Sequence, residues 1–317
     1  MPTVSVIMPT YNAGVRIGVA IGSVLTQTHP AFELIVIDDG STDDTVAIAR
    51  GFGDRVTVLQ QQNAGPNAAR NTGLRHATGD MVALCDSDDF LLPNYLAEAL
   101  AVMSTAPPRS WVTCASQLMT DEGLKPYGYS PFGEVPRDQQ REAILQGNFV
   151  SIFSVFPRAM ATEIGPFSEE LKRAEDWEYW ARAILSGWRV AFQPTIASFY
   201  RQQGESQSSD PGAMLDAEDA MIAVVAERFA GTFTAREEQL LAVRARLGSA
   251  TRQRLRARDA WRAGNFTDGA RQLREAAQEF PLYPGVRGKA LTARLLAPVL
   301  ELLPEGLGLR ERLRKRW

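Results

Sequence analysis

Through its first ninety residues the chain switches repeatedly between two hydrophobic periods, and that alternation restricts the fold more than any other feature. Val4-Ser5-Val6-Ile7-Met8 is a short β-branched run closed by Pro9; Phe32 to Ile37 and Val56 to Leu59 are two more. Between them, Gly14 to Gln27 places Ile17, Ile21, Val24 and Leu25 at helical spacing, and Thr42 to Ala49 also reads as helix. Asn67 to Ala77 forms a third helical stretch, and Met81 to Cys85 a fourth apolar run. Such alternation predicts an α/β fold with a mainly parallel central sheet covered on both faces. Ligands of these sheets bind beyond the carboxyl ends of the strands. Three of those ends carry polar residues, Thr10-Tyr11-Asn12, Asp38-Asp39 and Asp86-Ser87-Asp88-Asp89, so a single crevice is expected to collect them.

The third of these ends is the most acidic. Carboxylates at the end of a buried strand are costly unless a cation or polar ligand satisfies them. An Asp-x-Asp step there suits Mg2+ or Mn2+ carried with phosphate oxygens. The alternative is a polar turn in which Asp89 caps a helix beginning at Leu91.

Bulk properties narrow the function classes. Hydrophobic content of 45% and charged content of 22% fit a globular chain, and a net charge of -3 exerts no general pull on nucleic acid. Cys85 and Cys114 are the only cysteines, which argues against a disulfide framework, and His29 and His76 lack zinc spacing. The start at Met1 has no basic leader or cleavage site, and no run of 18 apolar residues occurs, so a cytoplasmic location is expected.

Beyond residue 107 the pattern loosens. Trp111 to Ala115 reads as a strand, 121 to 138 as an irregular excursion, Ala143 to Leu145 as part of a short helix and Phe149 to Phe156 as strand-like. Glu169 to Leu185 reads as a helix with Trp177, Trp180 and Ile184 on one side; Val190 to Phe192 and Ile196 to Tyr200 flank Pro194 as two strands. After about residue 205 the text turns polar, then rich in Ala, Arg, Leu and Glu, which predicts helices only. Two domains are expected, 1–208 and a helical extension over 209–317. Within the extension, Trp261 to Pro281 reads as one helical hairpin, with Ala260, Ala270, Leu273 and Ala277 at close-packing positions; it resembles a single tetratricopeptide-like unit. Leu291 to Trp317 ends in five basic residues and one acid between Arg310 and Arg316. That tail suits either an anionic membrane surface, such as the inner face of the membrane, or a solvated helix end.

Five strings in order carry a family resemblance: Val4 to Asn12, Ile37 to Asp43, Gly65-Pro66-Asn67-Ala68-Ala69-Arg70-Asn71-Thr72-Gly73, Asp86 to Asp89, and Ala174-Glu175-Asp176-Trp177. Together, over about residues 3 to 208, they resemble the family 2 glycosyltransferases of the GT-A fold. The resemblance implies an inverting transfer from a nucleotide-sugar donor, UDP-linked in the first instance, to a glycan, lipid-linked or protein acceptor. It further implies a divalent cation, Mn2+ or Mg2+, held by Asp86 and Asp88, with Asp86 also touching the ribose.

The residues suit those roles. Tyr11 offers a face for a pyrimidine, Asp39 an acceptor for a base N–H, and the Pro9 and Thr10 backbone a frame for the base. Asp38 is better read as a cap of the turn that follows it. Arg70 can contact the nucleotide or hold the acidic cluster through a bidentate pair, and Arg201 is a candidate diphosphate contact. Asp176, beside Trp177 and Trp180, is the candidate general base, its pKa expected to rise by desolvation; the alternative is a helix N-terminal acid placed by the helix dipole. Many similar sequences carry a His after the strand ending at Arg201, where this chain has Gln202 and Gln203. The other function kept open is a non-catalytic nucleotide-sugar-binding module of a membrane-associated glycan assembly.

Overall fold

A computed structural model of the chain describes residues 2–120, 122–129, 134–202 and 211–279. Nine strands form one sheet in the order β3-β2-β1-β4-β8-β6-β9-β5, with β7 added on β6. These are β1 (Val4–Thr10), β2 (Glu33–Asp38), β3 (Thr57–Gln60), β4 (Met81–Leu84), β5 (Phe90–Leu91), β6 (Ser110–Thr120), β7 (Gly123–Tyr129), β8 (Ser154–Pro157) and β9 (Arg189–Arg201). The first four are mutually parallel, as the alternation requires. Beyond β4 the sheet is mixed: β8 is antiparallel to β4 and β6, whereas β9 is parallel to β6.

Every residue of β1 and β4 is buried, which explains their unbroken apolar text: a central strand covered on both faces has no solvent side to alternate with. Helix α1 (Arg16–Leu25) buries Ile17, Ala20, Ile21 and Val24, one stripe at helical spacing. Helices α2 (Thr45–Arg50) and α3 (Pro66–His76) complete the first ninety residues. Helix α3 starts cleanly, with Gly65 at φ 95° before Pro66. It comes so close to the sheet that a Cβ on Gly73 would lie 2.4 Å from Ile7 Cγ2 and 2.9 Å from Ile37 Cδ1.

The second half departs from expectation at several points. Leu91 belongs to β5, and α4 (Tyr95–Thr105) begins after Asn94, so Asp89 caps no helix. The excursion predicted over 121–138 contains β7, an edge strand whose register shifts between Gln117 and Met119 of β6, a place that tolerates Pro126. Following α5 (Gln140–Gln146), only Ser154–Pro157 of the run to Phe156 is strand. In the part before it, side chains replace the ladder: Val150 N donates to Asn148 Oδ1 (3.1 Å) and Ser151 N to Thr113 Oγ1 (3.1 Å). After α6 (Arg158–Ile164), helix α7 (Glu175–Leu185) starts later than predicted, because Ala174 sits at φ 56° and ends any continuous helix from Glu169. Its burial is not one-sided either, since every residue from Trp177 to Leu185 is buried. The two strands predicted around Pro194 are the single β9, whose register against β6 jumps from Phe192 to Ile196 and so spares Pro194 a ladder bond it cannot make.

The chain divides into two compact units. The first comprises residues 1–209 and 220–237 and contains the sheet; the second comprises 210–219 and 238–317. Helices α8 (Pro211–Arg228), α9 (Ala235–Arg262) and α10 (Phe266–Glu279) follow β9, consistent with the all-helical expectation among the described residues. In the predicted hairpin, Gly264 takes φ 90°, Trp261 meets Phe266 edge-to-face at 5.0 Å, and Ala270 and Leu273 are buried. The tail from 280 onward, Ala277's side chain and Gln203 lie outside the described residues.

Candidate active site

The carboxyl ends of β1, β2 and β4 open onto one cleft of about 650 Å3. Pro9, Thr10, Tyr11, Asp39, Arg70, Asp86, Asp88 and Arg201 all line it, together with Arg16, Asn63, Glu175 and Tyr200. Asp176 is the one candidate that does not; its neighbour Glu175 takes that place.

Strand geometry sets up the β1 and β2 side. Thr10 pairs with Asp38 at the strand ends, and Asp39 N donates to Thr10 O (2.9 Å). Tyr11, just past the strand, is 53% exposed, a large aromatic left uncovered at the mouth of the cleft. Thr10 Oγ1 is buried with no protein partner, an orphan polar atom of the kind a ligand satisfies. Asp38 behaves as a turn residue, accepting from Ser41 N (3.2 Å) and Gln60 Nε2 (3.3 Å). Asp39 holds the loop before α3: it accepts from Gln61 Nε2 (2.8 Å), Ala64 N (3.0 Å) and Gly65 N (2.7 Å). Part of its accepting capacity is thereby spent on the protein itself.

The acidic turn is organised by two arginines. Arg70 Nη2 reaches both carboxylate oxygens of Asp86 at 3.0 Å, and Nη1 reaches Glu175 Oε1 at 3.2 Å and Asn67 Oδ1 at 3.1 Å. Arg70 thus touches the acidic cluster while also lining the cleft where a nucleotide contact was expected of it. Burial alone would lower its pKa, but the charges of Asp86 and Glu175 outweigh that and raise it. On the other flank, Arg201 N donates to Asp89 Oδ1 (2.7 Å) and Arg201 Nε to Asp88 O (3.1 Å). Asp89 is 2% exposed, and burial followed by the neighbouring Asp88 and Asp86 charges pushes its pKa well above the usual carboxylate range.

Asp176 sits at the start of α7, partly in contact with solvent but crowded by side chains. Its Oδ1 accepts from Trp177 N (2.7 Å) and its Oδ2 from Asn148 Nδ2 (3.0 Å). Desolvation first, and the adjacent Glu175 charge second, push its pKa up to about 7, although Arg70 opposes the shift.

Sequence reasoning assigned no role to the residues that hold the segment before α7, residues 167–171, against α3. Asn67 Nδ2 donates to Ser168 O and Leu171 O, Asn71 Nδ2 to Phe167 O, and Phe167 N to Asn71 Oδ1. Polar residues at positions 67, 70 and 71, on a helix with few apolar ones, were the available signal: they share a face at i, i+3 and i+4.

A divalent cation finds a partial donor set here. Among the described residues no three His, Cys, Asp or Glu side chains converge at metal-binding spacing. Asp86 and Asp88 are the pair of carboxylates on the cleft wall that could hold the ion, and phosphate oxygens and water would have to complete the shell, an arrangement Mg2+ favours.

The sheet order and a ligand cleft at the parallel strand ends place the protein in the GT-A class of nucleotide-sugar-binding folds. The profile of glycosyl transferase family 2 matches residues 5–164, and the chain belongs to that family. An uncharacterized glycosyltransferase of Rickettsia prowazekii is 28% identical over 183 residues, 56% of this chain and 58% of that protein. The uncharacterized glycosyltransferase YibD of Escherichia coli is 45% identical over 103 residues, 32% of this chain and 30% of that protein. The chain thus matches under two thirds of the length of these relatives. Among solved structures, residues 1–349 of Staphylococcus aureus TarS in complex with UDP-GlcNAc superpose with a TM-score of 0.64 at 25% identity, covering 93% of this chain and 90% of that one. A mannosyltransferase from Pyrobaculum calidifontis, in complex with GDP-Man and Mn2+, gives 0.57 at 21% identity, with 96% and 88% covered.

Proposed function

We infer that the protein is an inverting glycosyltransferase that moves a sugar from a nucleoside-diphosphate sugar to a hydroxyl of a glycan, lipid-linked or protein acceptor. A UDP-sugar is the first donor to test, because Tyr11 and Asp39 suit a uracil and the TarS fragment binds UDP-GlcNAc. The observation that carries the reading is the gathering of an exposed aromatic, an orphan hydroxyl, the carboxylates of Asp39, Asp86 and Asp88 and the guanidinium groups of Arg70 and Arg201 in one cleft.

In this reading the base stacks on Tyr11 and lies against the Pro9 and Thr10 backbone, while Asp39 keeps the neighbouring loop closed and accepts from the base. Arg201 meets the diphosphate, and Asp86 and Asp88 hold a divalent cation. When bound, that ion supplies Lewis-acid stabilisation of the leaving diphosphate. Asp176 takes the proton of the acceptor hydroxyl as its oxygen attacks the anomeric carbon and the C–O bond to the diphosphate breaks. A pKa of about 7 matches a base that must be ionised, yet strong enough, near neutral pH. Direct displacement inverts the anomeric carbon, so an α-linked donor gives a β-linked product. Asp176 does not line the cleft, whereas Glu175 does. Access to Asp176 is therefore assigned to the acceptor side.

No helix among the described residues is long and apolar enough to cross a membrane. Peripheral contact with an anionic membrane, on the cytoplasmic side, is assigned to the basic C-terminal sequence. Residues 238–317 hold 17 Lys and Arg against 8 Asp and Glu, which supports that assignment.

Asp176→Asn tests the central step. Turnover of a UDP-sugar should fall by about 10²–10⁴-fold while UDP affinity measured by calorimetry stays within about twofold of wild type. Undiminished turnover would remove Asp176 from the mechanism. If the wild-type chain binds UDP-sugars but transfers and hydrolyses none of them, the binding-module reading takes over.

A further inference from the structure

The acidic turn already has a counter-ion of its own. Arg70 is 4% exposed, pairs with both oxygens of Asp86, and is braced by Asn67, Glu175 and the Phe167 ring 5.8 Å from Cζ. A guanidinium cannot shed its proton in a protein, so this positive charge is permanent. Its Nε is buried without a partner, and the side chain is fixed by the fork on the opposite edge. Arg201 adds a second guanidinium on the far flank, bonded to the Asp88 carbonyl oxygen.

We propose that Arg70 acts as a resident counter-ion that keeps a divalent cation off Asp86 and Asp88 until a nucleoside diphosphate arrives. The inference rests on the glycosyl-transfer reading of the same cleft.

The argument is one of charge and ligand number. A cation approaching Asp86 meets a carboxylate whose two oxygens each already accept from Arg70 Nη2 at 3.0 Å, and with it a fixed positive charge. Displacing Arg70 would leave a buried guanidinium with unpaired donors, which is strongly unfavourable. Sharing the carboxylate instead sets two cations on one anion, and among the described residues no third His, Cys, Asp or Glu converges with Asp86 and Asp88 to fill the cation's shell. A diphosphate changes both conditions: it brings negative charge to offset Arg70 and Arg201, and it supplies the missing oxygen ligands. Cation and nucleotide must then favour one another by the same factor, because binding couplings are reciprocal. Couplings of this kind run from about 5- to 150-fold.

The measurement uses the whole chain. Free Mn2+ is followed by electron paramagnetic resonance as protein is added, without and with saturating UDP, after correction for the Mn2+–UDP complex; UDP binding is followed by calorimetry without and with Mg2+. Mn2+ should bind the nucleotide-free protein at least about tenfold more weakly than the UDP-loaded protein, and Mg2+ should tighten UDP by a comparable factor. Arg70→Met should raise Mn2+ affinity in the absence of UDP about tenfold, whereas Arg70→Lys, which keeps the charge, should not. Equal Mn2+ affinity with and without UDP overturns the proposal, and so does a folded Arg70→Met chain that gains none. Should Arg70→Met not fold, Arg70→Gln, neutral but able to donate to Asp86, takes its place in the same nucleotide-free Mn2+ titration, and a folded Arg70→Gln chain that gains no affinity overturns the proposal. Failure to bind UDP under any condition would instead overturn the underlying reading, and the proposal with it.

Discussion

At the scale of the residue, Asp176 makes the sharpest demand, because one side chain has opposite consequences for activity and stability. Its folded pKa, raised to about 7, exceeds the ordinary Asp value near 3.9 that the unfolded chain retains. The folded state therefore binds this proton more tightly. The resulting stability is fully present below about pH 4 and is lost as pH rises through about 7. In its proposed role as base the same group would work only once deprotonated, so turnover should climb with an apparent pKa near 7 in a rate-against-pH profile. Asp176→Asn should abolish that limb. It should also raise the melting temperature at pH 8 more than at pH 4, by an amount corresponding to about 1–3 kcal/mol after allowance for the side chain's contact with solvent. A Tm difference independent of pH would show that Asp176 is not held in the unfavourable setting the structure gives it. Most of the cleft's residues were legible in the text, since Tyr11, Asp39, Asp86 and Asp88 stand directly at the ends of strands whose winding sends them to one side. Glu175 was harder to read: which of two adjacent acids faces the cleft depends on where α7 begins, and a left-handed Ala174 sets that start. Sequence periodicity carries no sign of such a residue.

Among the elements, α3 and α7 carry the site between them. Gly73 is where α3 seats against β1 and β2, and any Cβ there collides with two β-branched side chains that have little rotamer freedom. Gly73→Ala should cost about 1–3 kcal/mol by overpacking, a fall of several degrees in Tm, with the larger loss of UDP affinity expected if α3 shifts and takes Arg70 with it. A stability equal to wild type would mean that the helix has slack at this contact. Helix α7 depends on a buried pair instead. Glu178 and Arg182 are 2% and 3% exposed and joined at 2.6 Å, and Arg182 also donates to Ile164 O and Pro166 O. Arg182→Met leaves Glu178 buried and unpaired and should cost about 3–5 kcal/mol, whereas replacing both by apolar residues should recover part of it; thermal melts of the single and double variants separate the two cases. The elements of the first ninety residues were readable because each presents a clean period. In the second half β7, β8 and β9 were blurred by Pro126, by side-chain hydrogen bonds from Asn148 and Thr113, and by Pro194, all features that interrupt a ladder without ending the sheet.

For the whole molecule the informative quantity is how charge and chain are shared out. Residues 1–237 hold 17 Lys and Arg against 29 Asp and Glu, while 238–317 reverse the balance with 17 against 8. The acidic part contains the cleft. Composition marks the polar stretch after residue 205, but it cannot show that the chain contributes residues 220–237 to the first compact unit, because that depends on contacts distant in sequence. One such contact is specific: Arg141 holds the 3%-exposed Glu237 through Nε at 2.7 Å and Nη2 at 3.2 Å, while its Nη1 donates to Leu185 O at the end of α7. Thr234 N also donates to that carboxylate, so the junction is a closed network. Met221, Ile222 and Val225 of α8 are buried as well. A chain ending after residue 208 loses all of these and leaves Arg141 without its carboxylate at the end of the helix that presents Asp176. A chain ending after residue 240 keeps them. The shorter chain should therefore melt on the order of 10 °C below the longer one, or fail to stay in solution, and should bind UDP more weakly. The longer chain should bind UDP with full-length affinity and, if the basic C-terminal sequence has the membrane role proposed for it, lose only adhesion to vesicles rich in anionic phospholipid. Equal melting temperatures for the two truncations would show that the first unit closes without residues 220–237, and that the Arg141–Glu237 network is incidental to the site.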